Sequence, residues 1–169
     1  MAARPIILLG DPRLHEVCSP VDRDELDQVP RWVEDLHDTL MDFRARHGIG
    51  RAIAAPQIGI PKRMIYMHID GPTVFLNPVI EAKSPEMMEV WDDCMCFPGL
   101  LVRVSRHRSC RIHYFDAGFE PRVLEVEGDL SELLQHEYDH LDGILATERA
   151  IDSRSFAMDA RRTTPSLCR

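Results

Sequence analysis

Gln135-His136-Glu137-Tyr138-Asp139-His140 is the stretch from which the rest of this chain is read. Histidines four apart lie one above the other on a helix, so His136 and His140 can share one metal ion. Neutral imidazoles suit a divalent transition metal, and Glu137 beside them can exchange protons with an activated water without being a ligand itself. A helix is expected over 130–141, after Gly128-Asp129, with Leu130, Leu133, Leu134, Glu137 and Leu141 on one face. Asp129 and Glu132 have the spacing of a capping pair. Two histidines held only by core hydrogen bonds would need no glutamate on the same apolar face, where an unpaired carboxylate is costly. The first expectation is therefore a metal-dependent hydrolase.

Such a site needs a third protein ligand and one open position. Where one zinc-protease pattern continues to a third histidine, this chain has Ala146, and Glu148 and Asp152 follow too closely to sit on a second helix. Cys94, in Trp91-Asp92-Asp93-Cys94-Met95-Cys96-Phe97-Pro98-Gly99, is the better candidate, because a thiolate is a strong ligand and the segment lies among strands that can face the helix. Cys96 is its rival, since residues two apart on an extended chain point the same way. A fourth protein ligand, however, would close the site.

Working outward, Val29, Trp32, Val33, Leu36, Leu40 and Phe43 recur at helical steps over about 27–46, with Pro30 where a first turn tolerates it. That stripe is read as core packing. Residues 48–59 are rich in small side chains and read as a tight connection. Short β-like segments follow at 64–69, 74–76, 100–104, 110–115 and 123–126, several separated by turns such as Asp70-Gly71-Pro72. Helix, strands and helix make an α+β class: mostly antiparallel sheets packed around a central metal-binding helix, with an N-terminal helix. Residues 1–169 are read as one domain, with a mobile polar tail after about 153.

The bulk properties exclude several other classes. At 44% hydrophobic and 28% charged the chain is neither disordered nor fibrous. Net charge is −8 and the basic residues are scattered, which argues against a nucleic-acid or anionic-lipid footprint. Ile6-Ile7-Leu8-Leu9 is too short for a signal sequence or a membrane span, so the protein is read as cytoplasmic, and as a monomer. Five cysteines without dense spacing favour reduced thiols or metal ligation, and Cys18, Cys110 and Cys168 read as small buried hydrophobes.

Three stretches together resemble the signature motifs of peptide deformylases, in that family's order and over nearly the whole chain. They are Gly50-Arg51-Ala52-Ile53-Ala54-Ala55-Pro56-Gln57, Asp92-Asp93-Cys94-Met95-Cys96, and Gln135 to His140. Leu76-Asn77-Pro78, Phe97-Pro98-Gly99, Phe115-Asp116-Ala117-Gly118 and Leu141-Asp142-Gly143 resemble the family's flanking text. The resemblance implies that Cys94, His136 and His140 bind one divalent metal per chain, with water in the fourth position. Fe(II) is the family's usual ion, with zinc, nickel or cobalt as substitutes. It implies that Glu137 takes a proton and returns it to the departing amine, while the Gln57 side chain and the backbone N–H of Met95 hold the oxyanion. The implied reaction removes the formyl group from formylmethionyl peptides or nascent chains and releases formate.

Gly50, Arg51, Ala52 and Glu132 fall, by the same resemblance, along the substrate cleft. Ala52 and Asp93 stand where the family has glycine, Arg51 stands where it has an aliphatic residue, and Glu132 stands where it has an apolar one. Arg51 and Glu132 are placed to pair across the cleft, and Arg106 is the expected partner of Asp92. The alternative to a formylmethionyl deformylase is a relative with a changed N-acyl substrate or with reduced or absent activity.

Overall fold

A computed structural model describes residues 3–159. Helix α1 spans Val29–His47, two residues later at its start and one later at its end than its pattern suggests. Pro30 sits in the first turn, and Gly48 ends the helix in the left-handed region at φ 72°, its N–H donating to the Arg44 carbonyl at 2.8 Å. Val29, Leu36, Leu40 and Phe43 are buried as their spacing requires. Among the described residues no helix is long and apolar enough to cross a membrane.

The strands are β1 (Ala52–Ala54), β2 (Met64–His68), β3 (Pro72–Lys83), β4 (Met87–Asp93), β5 (Leu100–His107), β6 (Ser109–Phe115), β7 (Pro121–Glu127) and β8 (Phe156–Met158). One antiparallel sheet has the order β1-β2-β3-β6-β7. Strands β1, β2 and the first half of β3 are buried on both faces. Ile53, Met64, Tyr66, Val74 and Leu76 pack with α1, whereas Ala52, Ala54, Ile65, Met67 and Phe75 pack with Leu133, Leu134 and Leu141 of a second helix. Successive side chains point to opposite faces, so a strand with two covered faces shows a continuous apolar run such as Met64-Ile65-Tyr66-Met67 rather than alternation.

Strand β3 runs far beyond the 74–76 segment legible in the sequence. The reason is two register irregularities, between Leu76 and Val79 and between Ile80 and Ala82, with Asn77 left-handed at φ 49°. Bulges of this kind interrupt the two-residue period and expose Val79. Strands β4, β5 and β8 form a second antiparallel sheet. Strand β4 was not expected. It turns Met87 and Trp91 to solvent and the charged Asp92 inward, beside the half-buried Met88 and Val90, so the alternation that marks a strand in sequence is blurred. The tail read as mobile after about 153 is tied down through residue 159: Ser155 is fully buried, Phe156–Met158 pairs with β5, and the Asp159 N–H donates to the Gly99 carbonyl at 2.8 Å. Residues 160–169, with Cys168, lie outside the described residues.

Helix α2 (Gly128–Leu141) lies between the sheets, touching β1, β2, β6 and β7 on one side and β5 on the other. The Asp129–Glu132 capping pair does not form. Gly128, at φ 58°, leads the chain straight from β7 into the helix, and the Glu132 carboxylate turns to Arg51 instead of to the helix start. Gln135 pins α2 to β5: its Oε1 accepts from the His107 N–H at 3.0 Å and its Nε2 donates to the His107 carbonyl at 2.8 Å. Two residues past the end of the helix, Gly143 is left-handed at φ 71°, and an added Cβ there would lie 2.5 Å from the His15 carbonyl oxygen.

This close approach is testable by urea unfolding. Gly143→Ala should lose roughly 1–3 kcal/mol more than Gly48→Ala, which carries similar backbone strain with nothing within 4 Å. Equal losses would show that the His15 contact is immaterial.

Candidate metal centre and active site

Because α2 is buried on two sides, its polar residues at positions 136, 137 and 140 must find partners inside the protein. His136, Glu137 and His140 are 5%, 3% and 1% exposed. The turn after β4 brings Cys94 against them. Cys94 Sγ lies 3.3 Å from His140 Nε2, which lies 3.2 Å from His136 Nε2. One ligand atom from each of the three residues falls within 4.8 Å of the others. Ordinary metal–sulfur and metal–nitrogen bonds in a tetrahedron put donors about 3.3–3.6 Å apart, so the trio fits a single divalent ion. Cys96 is buried beside Cys94 but is not one of the three.

The surrounding charges set the protonation that such an ion meets. Burial pushes the Cys94 thiol well above its ordinary range, so a thiolate there requires a cation beside it. Burial opposes a charge on His136, yet Asp92, with Oδ1 2.8 Å from its Nδ1, outweighs that and lifts the imidazole to about 10. The contact is an ion pair by distance whose angle falls short of a good hydrogen bond. It favours a proton on Nδ1 and directs Nε2 toward Cys94 and His140, where a bound cation would displace the second ring proton. His140 is pushed well below its usual range by burial and by His136, leaving it neutral and ready to donate a lone pair.

Behind the ligands lies a chain of buried charge. Arg106, 4% exposed, donates to Asp92 Oδ2 at 2.9 Å and also to Asp139. Asp139 in turn accepts from the half-exposed Arg149 at 2.8 Å. The expected Arg106–Asp92 pair is therefore present. Its extension to Asp139 and Arg149, and the Asp92–His136 contact, were not legible in the sequence; the only available signal was a second acid, Asp139, one turn after His136.

A cavity of about 600 Å³ opens onto this group. Glu137 faces it, and burial, resisted by His136, raises its carboxyl to about 7. The side-chain Oε1 of Gln57 accepts from the Ala54 N–H at 2.7 Å, which fixes the amide orientation and aims Nε2 at the two sulfurs, 3.6 Å from Cys94 and 3.5 Å from Cys96. Met95, Gly50, Arg51, Ala52 and Glu132 all line the cavity, so of the residues expected to act in catalysis, metal binding or substrate binding, His140 alone is not in its wall.

The departures from the family pattern are structurally quiet. Ala52 and Asp93 are not among the residues at positive φ, so neither position uses the freedom of a glycine. The Ala52 methyl packs in the core between the sheet and α2. Asp93, next to the buried Asp92, faces outward by strand alternation. Gly50 is different: at φ 123°, with Leu40 Cδ1 3.1 Å from where a Cβ would stand, it needs to be glycine. Arg51 and Glu132 do meet, Nη2 to Oε2 at 3.3 Å.

Comparison with known proteins places this geometry. A profile of the polypeptide deformylase family matches residues 3–156. Peptide deformylase 1 of Prochlorococcus marinus is 34% identical, covering 99% of this chain and 91% of that protein. The crystal structure of a Synechococcus elongatus peptide deformylase in complex with actinonin superposes with a TM-score of 0.80 at 30% identity, over 90% of this chain and 81% of that one. The Thermotoga maritima peptide deformylase gives 0.82 at 29% identity, over 90% and 100%. The chain belongs to the polypeptide deformylase family of hydrolases.

Proposed function

We propose that this protein removes the formyl group from N-formylated peptides, formylmethionyl peptides among them, releasing formate and a free amino terminus. The observation that carries this reading is the convergence of buried Cys94, His136 and His140 on one point, at the end of a cavity that also holds Glu137 and Gln57. Cys94, His136 and His140 would hold one divalent metal ion, which we assign as Fe(II) from the family resemblance, with zinc, nickel or cobalt as substitutes. Bound there, the ion supplies Lewis acidity, acidifying water and polarising a carbonyl.

The chain's own groups do the rest. Glu137 takes a proton as water adds to the formyl carbon, then passes it to the amine nitrogen as the C–N bond breaks. With its carboxyl raised to about 7 it can serve as base and acid in one cycle. Gln57 Nε2 and the backbone N–H of Met95 donate to the oxygen on which charge develops, each such donor contributing roughly 10²–10³ in rate. Asp92 orients His136, and Arg106 holds Asp92 in place. The ordinary backbone angles of Ala52 and Asp93 support an active site over an inactive relative.

Metal-reconstituted protein, prepared anaerobically, is expected to release formate from formylated tripeptides, and actinonin is expected to block that release. Glu137→Ala should lose at least 10²-fold in kcat while keeping its metal. A protein that binds metal but yields no formate from any such peptide would overturn the proposal. The ligand set is checked separately by competition with a chelating dye: Cys94→Ala should lose stoichiometric metal, and Asp92→Asn should weaken binding by roughly 10–100-fold. Unchanged metal content in Cys94→Ala would defeat the ligand assignment.

A further inference from the structure

The cavity at the metal centre is strongly acidic. Besides Asp92 and Glu137, its wall carries Glu132 and, at the rim, the outward-facing Asp93, with Arg44 and Arg51 as the arginines that line it. Arg44 is committed to the backbone, donating to the Gly50 carbonyl at 2.9 and 2.7 Å and to the His68 carbonyl at 2.6 Å. Arg51 touches Glu132 through one N–H···O contact of 3.3 Å, with its side chain 46% exposed. A well-paired guanidinium and carboxylate meet through two bonds of about 2.7–2.9 Å. The Glu132 side chain is only 13% exposed, so its carboxylate is mostly out of water and incompletely paired. Burial, and then the nearby Asp92, raise its pKa against the opposing pull of His136, Arg51 and Arg106.

Position relates this group to the chemistry. Glu132 precedes His136 by one helical turn, a rise of about 6 Å. That is within the reach of a long side chain borne by the carbon next to the amide nitrogen that Glu137 protonates. Leu133, Ile49 and Phe43 line the same cavity and offer an apolar wall for the stem of such a side chain. Arg51, half exposed, can yield its weak contact at little cost.

Resting on the deformylase reading, we propose that Glu132 is a specificity-determining residue that selects substrates whose first side chain donates hydrogen bonds, above all a cation of lysine or arginine type, over an alkyl or thioether chain of similar length. The ammonium or guanidinium pairs with Glu132 in place of Arg51, and the methylene stem lies along the apolar wall.

The test compares kcat/KM for formyl-Lys-Ala-Ser, formyl-Met-Ala-Ser and formyl-norleucyl-Ala-Ser in the metal-loaded wild type, Glu132→Leu and Glu132→Gln. Calorimetric Kd values for the product peptides Lys-Ala-Ser and Met-Ala-Ser are measured alongside. The wild type should favour the lysine substrate by roughly 10–100-fold, Glu132→Leu should invert the order, and Glu132→Gln should fall between. Equal or better turnover of the methionine peptide by the wild type, or an unchanged ratio in Glu132→Leu, would overturn this inference while leaving deformylation intact. If no peptide yields formate but Lys-Ala-Ser still binds tighter than Met-Ala-Ser and loses that advantage in Glu132→Leu, the inference stands and deformylation falls. Neither turnover nor a binding preference would sink both.

Discussion

A guanidinium buried between two carboxylates joins the parts of this protein that must act together. Arg106 on β5 reaches Asp92 on β4 and Asp139 on α2, and Asp92 stands against His136. Cys94 comes two residues after Asp92, and His140 one residue after Asp139. The charge chain therefore sets the distance between the strand that carries the thiol and the helix that carries the imidazoles. A buried ion pair adds little to stability beyond what apolar packing would supply, but breaking one leaves an uncompensated charge and costs about 3–5 kcal/mol. Such a network specifies an arrangement. Its members tolerate one geometry, and that geometry brings three ligand atoms to one point.

Amides perform a similar service elsewhere in the site. Gln135 imitates a neighbouring strand, accepting from and donating to the His107 backbone, and so docks α2 on the edge of β5. Gln57 uses its oxygen on the Ala54 backbone and keeps its N–H groups for the cavity. Gln135 is held on the long helix α2 and Gln57 on a short helical turn, which limits their motion and preorganises the Gln57 donor. The mouth of the cavity is built differently. Arg51 is exposed and weakly held, and Glu132 is buried with an incomplete partner.

Much of the frame was legible in the sequence because it depends on local periodicity. Helix α1 follows from the steps between Val29 and Phe43, and α2 from the leucines around His136 and His140. Buried strand β2 reads from its apolar run. Strand β4 did not, because apolar and charged residues stand on both of its faces, Met87 and Trp91 outward and Asp92 inward, and β3 was cut short by bulges that no period reveals. The short strand β8 was read as tail because three residues hold too little pattern to register, although β5 has an edge waiting for them.

By itself, the sequence determined that one helix turn presents two imidazoles and a carboxylate, and that a cysteine among strands was available to complete the set. These are statements about spacing, and spacing on a helix is set by backbone geometry alone. Only the tertiary structure decided that Cys94 and not Cys96 joins the histidines, that Asp92 turns inward to His136, and that Glu132 leaves its helix cap to face the cavity with Arg51. Each of these contacts joins residues far apart in the chain, and each arises because a buried charge must find a partner wherever the packing of sheets and helix places one.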